Sequence, residues 1–126
     1  MAAEHTVLIV DDEKVIREGY SRVLQAEGFR VLTASDGREA LQLMAVEDVS
    51  VMLCDFKMPV MGALEVLEET TAKYPDVPVI VITGYGTVDK IVECMRKGAY
   101  YFIGKPIRAE HLVELTRKAI NERCAI

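Results

Sequence analysis

The sequence predicts one α/β domain with a five-stranded parallel sheet, strand order 2-1-3-4-5, doubly wound with helices on both faces. Three observations favour this fold. Five short apolar runs rich in β-branched residues begin 20 to 28 residues apart, amphipathic segments separate them, and the units share no repeated signature. Alternating strand and helix patterns are typical of a parallel sheet, whereas a solenoid would show self-similar units. Five strands are too few for an eight-stranded barrel, so we expect an open sheet.

The five apolar runs are the predicted strands. The first and fourth are almost wholly apolar, as in strands that helices cover on both faces. The second contains Arg30 and Thr33, which predicts an edge position. In chain order the predicted strands are Thr6–Val10, Arg30–Ala34, Val49–Cys54, Val79–Thr83 and Tyr100–Ile103.

Apolar residues at three- and four-residue spacing predict an amphipathic helix after each strand. Gly28 and Gly98 are typical of the residue that follows a helix end. The apolar stripes are Ile16, Tyr20, Val23 and Leu24; Ala40, Leu41 and Met44; Leu64, Leu67 and Thr71; Val88, Ile91, Val92 and Met95; and Leu112, Leu115, Ala119 and Ile120.

The length and composition agree with a single globular domain. Of 126 residues, 51% are hydrophobic and 28% are charged, so the chain can bury a core and is not expected to be disordered. We expect the domain to cover residues 1–126, with the core at about 6–120 and terminal extensions at 1–5 and 121–126.

The charge balance restricts the classes of partner. Fifteen Lys and Arg against twenty Asp and Glu give a net charge of −5, so direct binding to nucleic acid or to an anionic membrane is not expected. The apolar runs are too short to span a bilayer, and the N-terminus lacks the pattern of a signal peptide. We therefore expect a cytoplasmic protein.

Polar side chains follow the predicted strands at their carboxyl ends. In such sheets ligands bind outside these ends, where the strand order reverses. Strands 1 and 3 are neighbours in the predicted order, so their terminal carboxylates are expected to converge. The residues at the strand ends are Asp11, Asp12 and Glu13 after strand 1, Asp55 after strand 3, Thr83 after strand 4 and Lys105 after strand 5.

These residue types are suited to phosphoryl transfer. Asp11, Asp12 and Asp55 would repel one another unless a cation joined them. Mg²⁺ prefers carboxylates, waters and phosphate oxygens, whereas zinc prefers His or Cys ligands that are absent here. With the hydroxyl of Thr83 and the ammonium of Lys105 as phosphoryl ligands, Asp55 is the predicted nucleophile and acceptor.

Each of these residues has a simpler interpretation when it is taken alone. Asp11, Asp12 and Glu13 are suited to capping a helix. Thr83 is compatible with an ordinary strand-end hydroxyl, and Lys105 with a solvated loop charge. Their coincidence at one edge of one sheet favours the functional interpretation.

Four segments match a family pattern in order and spacing. They are Val10-Asp11-Asp12-Glu13, Asp55-Phe56-Lys57-Met58-Pro59, Val81-Ile82-Thr83-Gly84, and Gly98-Ala99 through Lys105-Pro106. From about Thr6 to Ile120 the sequence resembles a two-component response-regulator receiver domain, which implies a flavodoxin-like fold and a signalling role.

The resemblance implies a donor and a metal site. A sensor histidine kinase or a phosphotransfer protein would donate a phosphoryl group to Asp55. Mg²⁺ would be held by Asp12, Asp55 and the backbone carbonyl of Lys57, and Asp11 would act through the water shell of the metal.

The resemblance also implies a conformational switch. Thr83 and Lys105 would bind the phosphoryl oxygens, Phe102 matches the aromatic switch position, and the Lys105-Pro106 bond is expected to be cis. Phosphorylation would move Thr83 and Phe102 and reshape the face formed by helix 4, strand 5 and helix 5. We expect that face to contact an output domain in a longer chain or a second copy in a homodimer.

Two segments are similar to receivers of transcription activators that work with the sigma-54 factor: Thr83-Gly84-Tyr85-Gly86-Thr87-Val88 and the stretch from Gly98 to Pro106. The chain is then either an excised or a stand-alone receiver. It departs from the family at Gly62-Ala63, where an Asp-Gly pair is usual, so we expect the loop before the third helix to differ.

Two other functions remain open. A phosphorylation-independent, receiver-like interaction module would not use the pocket. The presence of all five residues that phosphoryl transfer would need, Asp11, Asp12, Asp55, Thr83 and Lys105, disfavours it. A small phosphohydrolase with Asp55 as nucleophile is disfavoured, because such enzymes commonly have a second carboxylate where this chain has Lys57. The favoured function is a phosphoacceptor domain that catalyses its own phosphorylation and dephosphorylation without being an enzyme on a separate substrate.

Overall fold

A computed structural model describes residues 4–58, 60–84 and 86–124. Pro59 and Tyr85, which belong to two of the sequence motifs, lie outside the described residues, as do 1–3 and 125–126 of the predicted terminal extensions. None of the helices in the described part is long and apolar enough to cross a membrane.

Strands and helices alternate along the described chain. They are β1 (Thr6–Val10), α1 (Lys14–Ala26), β2 (Arg30–Ala34), α2 (Gly37–Val46), β3 (Val51–Asp55), α3 (Ala63–Lys73), β4 (Val79–Thr83), α4 (Val88–Arg96), β5 (Tyr101–Gly104) and α5 (Ala109–Cys124). The predicted bounds of β1, β2 and β4 are confirmed. β3 begins two residues later than predicted and includes Asp55, which pairs with Ile82, and β5 is shifted by one residue.

The five strands form one parallel sheet in the order β2-β1-β3-β4-β5, as the sequence predicts. Every residue of β1, β3 and β4 is buried, whereas the edge strands β2 and β5 are partly exposed. This pattern follows from the doubly wound arrangement, because helices cover both faces of the interior strands.

The sheet divides the hydrophobic core into two layers. Successive strand side chains point to opposite faces, so Leu8 and Met52 pack beside α2 and α3 residues, whereas Ile9 and Leu53 pack beside α1 and α5 residues. Because the strands are parallel, the carboxyl ends of all five lie at one edge of this sheet, and the two core layers support it on both faces.

The apolar stripe of α4 faces solvent, which the sequence does not reveal. Such a stripe normally faces the core, but Val88 is 75% exposed and Val92 and Met95 are each 44% exposed. Of the α4 residues, all of which the structure describes, only Cys94 is buried. The helix lies against α3 and the edge strand β5, so it covers little of the sheet.

The stripe of α3 is also displaced from its predicted position. The predicted stripe was Leu64, Leu67 and Thr71, and only Leu67 of these is buried. The buried residues are Ala63, Val66, Leu67 and Thr70. Small and polar residues therefore occupy part of the buried face, which hydrophobicity alone could not locate.

A hydrogen bond and an ion pair join the C-terminal end of α4 to α3. The Thr71 hydroxyl donates to the Lys97 carbonyl at 2.9 Å, and the Lys97 ammonium pairs with Glu68. Gly98 follows with φ +104°, and a Cβ there would lie 2.3 Å from Thr71 Oγ1. Gly28 ends α1 with φ +92° and has nothing within 4 Å of its Cβ position.

These two glycines give a matched test of the α3–α4 contact. Gly28→Ala is expected to lower the free energy of unfolding by about 1 kcal/mol, because alanine disfavours a left-handed backbone. Gly98→Ala is expected to lower it by more than about 2 kcal/mol, because the same strain adds to the clash with Thr71. Urea denaturation measures both, and equal losses would show that the contact does not restrict position 98.

Candidate functional site

A pocket opens at the carboxyl edge of the sheet, where the predicted site residues meet. Parallel strands place their terminal residues at the same edge, so β1, β3, β4 and β5 each contribute to the pocket or to the loop that follows. The lining residues are Asp12, Glu13, Asp55, Lys57, Met58, Thr83, Gly84 and Lys105.

Three carboxylates form a cluster that is able to hold a metal ion. Asp11, Asp12 and Asp55 each offer an oxygen, and these oxygens lie within 4.8 Å of one another. Asp11 and Asp55 are 2% and 7% exposed, whereas Asp12 is exposed to solvent. Oxygen donors alone at this spacing suit a hard divalent cation.

The Lys105 side chain forms ion pairs with two of these three carboxylates. Its Nζ lies 3.0 Å from Asp11 Oδ2 and 3.6 Å from Asp55 Oδ1. The Lys105 backbone N–H donates to the Thr83 carbonyl at 2.8 Å, which aligns the end of β5 with β4. The Lys105-Pro106 bond is cis, as the resemblance implies.

Asp11 is buried next to the pocket, and both its carboxylate and its backbone form hydrogen bonds. Its Oδ1 accepts from the Glu13 backbone N–H at 2.9 Å, while its Oδ2 binds Lys105. Its own N–H donates to the Ala34 carbonyl, and its carbonyl accepts from the Arg17 guanidinium at 2.7 Å. Asp12 and Asp55 therefore face the open pocket, with Asp11 as a buried support.

The electrostatics of the pocket reflect crowding of negative charge. Burial raises the pKa of Asp55 to about 6, the charge of Asp11 acts in the same direction, and Lys105 opposes both. Burial alone would lower the pKa of Lys105, but its hydrogen bond with Asp11 and the charges of Asp11 and Asp55 raise it. Lys105 thus remains protonated while Asp55 is costly to ionise without a further cation.

The predicted switch residues lie on neighbouring strands. Thr83 is 2% exposed at the end of β4 and lines the pocket. Phe102 is half-buried on β5 and is not among the pocket-lining residues; its ring meets Phe56 edge-on, with the centroids 6.4 Å apart. The ring also packs against Gly86, where a Cβ would lie 2.8 Å from Phe102 Cε1.

Two further residues contribute to this region, and no sequence pattern assigned them a role: Arg17 and Phe56. Arg17 lies one helical turn after Glu13, whose carbonyl accepts the Arg17 backbone N–H. This spacing is the sequence feature that could have placed Arg17 near the residues after β1. Phe56 directly follows Asp55, and the Lys90 ammonium lies 5.2 Å from its ring centroid. No sequence pattern pairs Phe56 with Phe102, because their contact depends on strand order.

The strain in the loop before α3 lies at Val60 and not at Ala63. Gly62 has φ −84° and caps α3, and Ala63 is the first residue of the helix. Val60 has φ +69°, the one positive value among the described residues other than glycine. Gly62-Ala63 therefore introduces no positive φ, and the expectation that this loop differs from that of other receivers stays a prediction.

Comparison with known proteins shows the family of this chain. Residues 7–117 match the family model described as response regulator receiver domain. The chain belongs to that family. It is a receiver domain of two-component response regulators, and the family resemblance of the sequence is confirmed.

The curated relatives of this receiver are longer regulatory proteins. It is 40% identical over 117 residues to the hydrogenase transcriptional regulatory protein HoxA of Cupriavidus necator. It is 32% identical over 123 residues to the C4-dicarboxylate transport transcriptional regulatory protein DctD of Rhizobium meliloti. The alignments cover 92% and 98% of this chain but 24% and 27% of those proteins, so the chain spans about a quarter of their length.

Solved receiver structures have the same architecture. A CheY-like receiver domain protein from Methanospirillum hungatei superimposes with a TM-score of 0.94 at 29% identity, covering 98% of both chains. The beryllofluoride-activated NtrC4 receiver domain dimer superimposes with a TM-score of 0.89 at 36% identity, covering 94% of this receiver and 98% of that chain.

The raised pKa of Asp55 predicts how stability depends on pH when a chelator removes divalent ions. Between the ordinary value of 3.8 and about 6, the folded protein binds more protons at Asp55 than the unfolded chain does. The free energy of unfolding therefore falls as pH rises through this window. Asp55→Asn is expected to remove this loss and to be more stable than the native protein at pH 7 by about 1 to 3 kcal/mol.

Thermal unfolding of both proteins between pH 4 and pH 7.5 measures this effect. The advantage of Asp55→Asn should be small at pH 4 and reach its full size above pH 6. An advantage that does not change with pH would show that repulsion at Asp55 is not its cause.

Proposed function

We propose that Asp55 accepts a phosphoryl group from a sensor histidine kinase or a phosphotransfer protein. The observation that supports this assignment is the position of the Asp55 carboxylate, 3.6 Å from the Lys105 ammonium in a pocket that also contains Thr83 and Asp12. A nucleophile, a cation for the transferred group and a second carboxylate thus meet at one opening.

Mg²⁺ is the proposed metal of this pocket. Asp12, Asp55 and the backbone carbonyl of Lys57 would hold it, and Asp11 would act through its water shell. Both carboxylate oxygens of Asp11 already have partners, which supports this indirect role. When bound, the ion neutralises charge on the phosphoryl and carboxylate oxygens.

The chain's own residues account for the transfer step. A carboxylate oxygen of Asp55, largely ionised at pH 7 because its pKa is about 6, attacks the phosphorus. An O–P bond forms as the P–N bond of the phosphohistidine breaks, and the bonding pair returns to the donor nitrogen. Lys105 and Thr83 bind the phosphoryl oxygens. Later attack by water on phosphorus breaks the bond to the Asp55 oxygen, which releases inorganic phosphate and regenerates the carboxylate.

The phosphorylated state is proposed to act through Thr83, Phe102 and α4. A phosphoryl group would draw Thr83 toward the pocket. The backbone of the β4–α4 loop at Gly86 packs against the ring of Phe102, so movement of this loop displaces both the ring and the start of α4.

The face formed by α4, β5 and α5 is the proposed output surface. Ile91, Val92 and Met95 on α4 and Tyr101 on β5 are 38% to 44% exposed, which is unusual for a row of large apolar side chains. We propose that a second copy or an output domain in a longer, cytoplasmic regulator covers this face. The acidic net charge gives no support to direct binding of nucleic acid.

Intact-mass spectrometry after incubation with acetyl phosphate tests the acceptor. The native protein should gain one phosphoryl group only with Mg²⁺ present, and Asp55→Asn should gain none, because the nucleophile is absent. Asp48→Asn, an exposed carboxylate before β3, should behave as the native protein. Absence of an adduct under every condition would favour the phosphorylation-independent module.

Light scattering with size-exclusion chromatography tests the output surface. Acetyl phosphate with Mg²⁺ is expected to raise the dimer fraction of the native protein, because phosphorylation reshapes the α4 face. Ile91→Glu should abolish that rise while keeping the phosphoryl adduct, since a charge opposes burial of this face. Val46→Glu, at an apolar position on α2 that is 78% exposed, should dimerise normally. An equal loss in both variants would exclude the α4 face.

A further inference from the structure

The start of α2 presses against the loop that precedes α3 and contains Lys57. The Gly37 backbone N–H donates to the Met61 carbonyl at 3.3 Å. A Cβ at Gly37 would lie 2.6 Å from that carbonyl oxygen and 2.6 Å from Val66 Cγ2. Only a residue without a side chain allows this approach, because the carbonyl is backbone and cannot swing aside.

The α2 side of this contact is rigid. Asp36 caps the helix by accepting from the Glu39 backbone N–H at 2.9 Å, and Glu39 in turn accepts from the Ser35 backbone N–H at 3.0 Å. These two side chains thus satisfy two backbone donors at the helix start. These hydrogen bonds stabilise the first turn of α2 in the position where it contacts the loop.

The loop between β3 and α3, on the other side of this contact, is conformationally restricted. Its ends are joined by a hydrogen bond from the Ala63 N–H to the Phe56 carbonyl at 3.3 Å. Within it, Val60 has φ +69°, a conformation that β-branched residues rarely adopt. Met61 and Lys57 belong to the same short connection between β3 and α3, and Lys57 lines the pocket.

We infer that Gly37 is a positioning residue for metal binding. By allowing α2 to approach Met61, it holds the loop in the conformation in which the Lys57 carbonyl would serve as the proposed Mg²⁺ ligand. Gly37 contacts neither the metal nor the phosphoryl group. The inference rests on the proposed function, because it concerns the Mg²⁺ site of that function.

Titration of the metal-free protein with Mg²⁺, followed by amide chemical shifts in NMR spectra, tests the inference. Gly37→Ala is expected to raise the Kd for Mg²⁺ by about tenfold, the usual size of an effect from a residue that supports a metal ligand. The control is Gly19→Ala within α1, where an added Cβ meets nothing within 4 Å. Its Kd should equal that of the native protein.

Two further variants keep the test decisive if Gly37→Ala fails to fold. Asp36→Ala removes the cap without adding bulk and should raise the Kd by about threefold, whereas Asp36→Asn retains a capping oxygen and should restore it. Leu112→Ala, at a buried position of α5 in the core layer that this helix shares with α1, should lower the melting temperature without changing the Kd.

The outcomes separate the inference from the proposed function. If the native protein and Gly19→Ala bind Mg²⁺ but Gly37→Ala and Asp36→Ala bind it equally well, the positioning role is wrong. A Kd that follows the melting temperature across all variants, Leu112→Ala included, would also overturn it. If the native protein neither binds Mg²⁺ nor gains a phosphoryl group from acetyl phosphate, the proposed function fails and the inference fails with it.

Discussion

Repulsion among three carboxylates at one edge of the sheet is the constraint on which the site depends. Asp11 and Asp55 are almost fully buried, and their oxygens lie within 4.8 Å of each other and of Asp12. Lys105 relieves only part of this charge, since its ammonium is closer to Asp11 than to Asp55. The pocket is thus built to gain stability from an added cation and to lose it when left without one.

The parallel topology makes such crowding possible. All five strands direct their carboxyl ends to one edge, where four of them contribute to the pocket, and core layers pack on both faces of the sheet. The edge strand β5 is partly exposed, so Tyr101 lies on the surface while Lys105, which follows the strand, lines the pocket. The pocket and the exposed surface of β5 are therefore only a few residues apart along the chain.

Much of the fold and of the pocket could be predicted from local sequence. The strands appear as β-branched apolar runs, and the strand ends give Asp11, Asp55, Thr83 and Lys105 once the order is known. The exposed α4 stripe could not be predicted, because periodicity identifies an apolar face without showing what covers it. Contacts such as Phe56 with Phe102 and Gly37 with Met61 join distant segments and leave no local pattern.

The shallow burial of α4 has a consequence for local stability. The helix buries only Cys94 among its described residues and is fastened chiefly at its C-terminal end, by Thr71 and the Lys97–Glu68 pair. Segments with few buried apolar contacts open with a smaller free energy than the whole domain, which amide hydrogen exchange reports. Amides of α4 should thus exchange through local opening while β1 and β3 exchange only on global unfolding. The unit of the fold that opens most easily is thus a single helix, while the sheet beneath it stays closed.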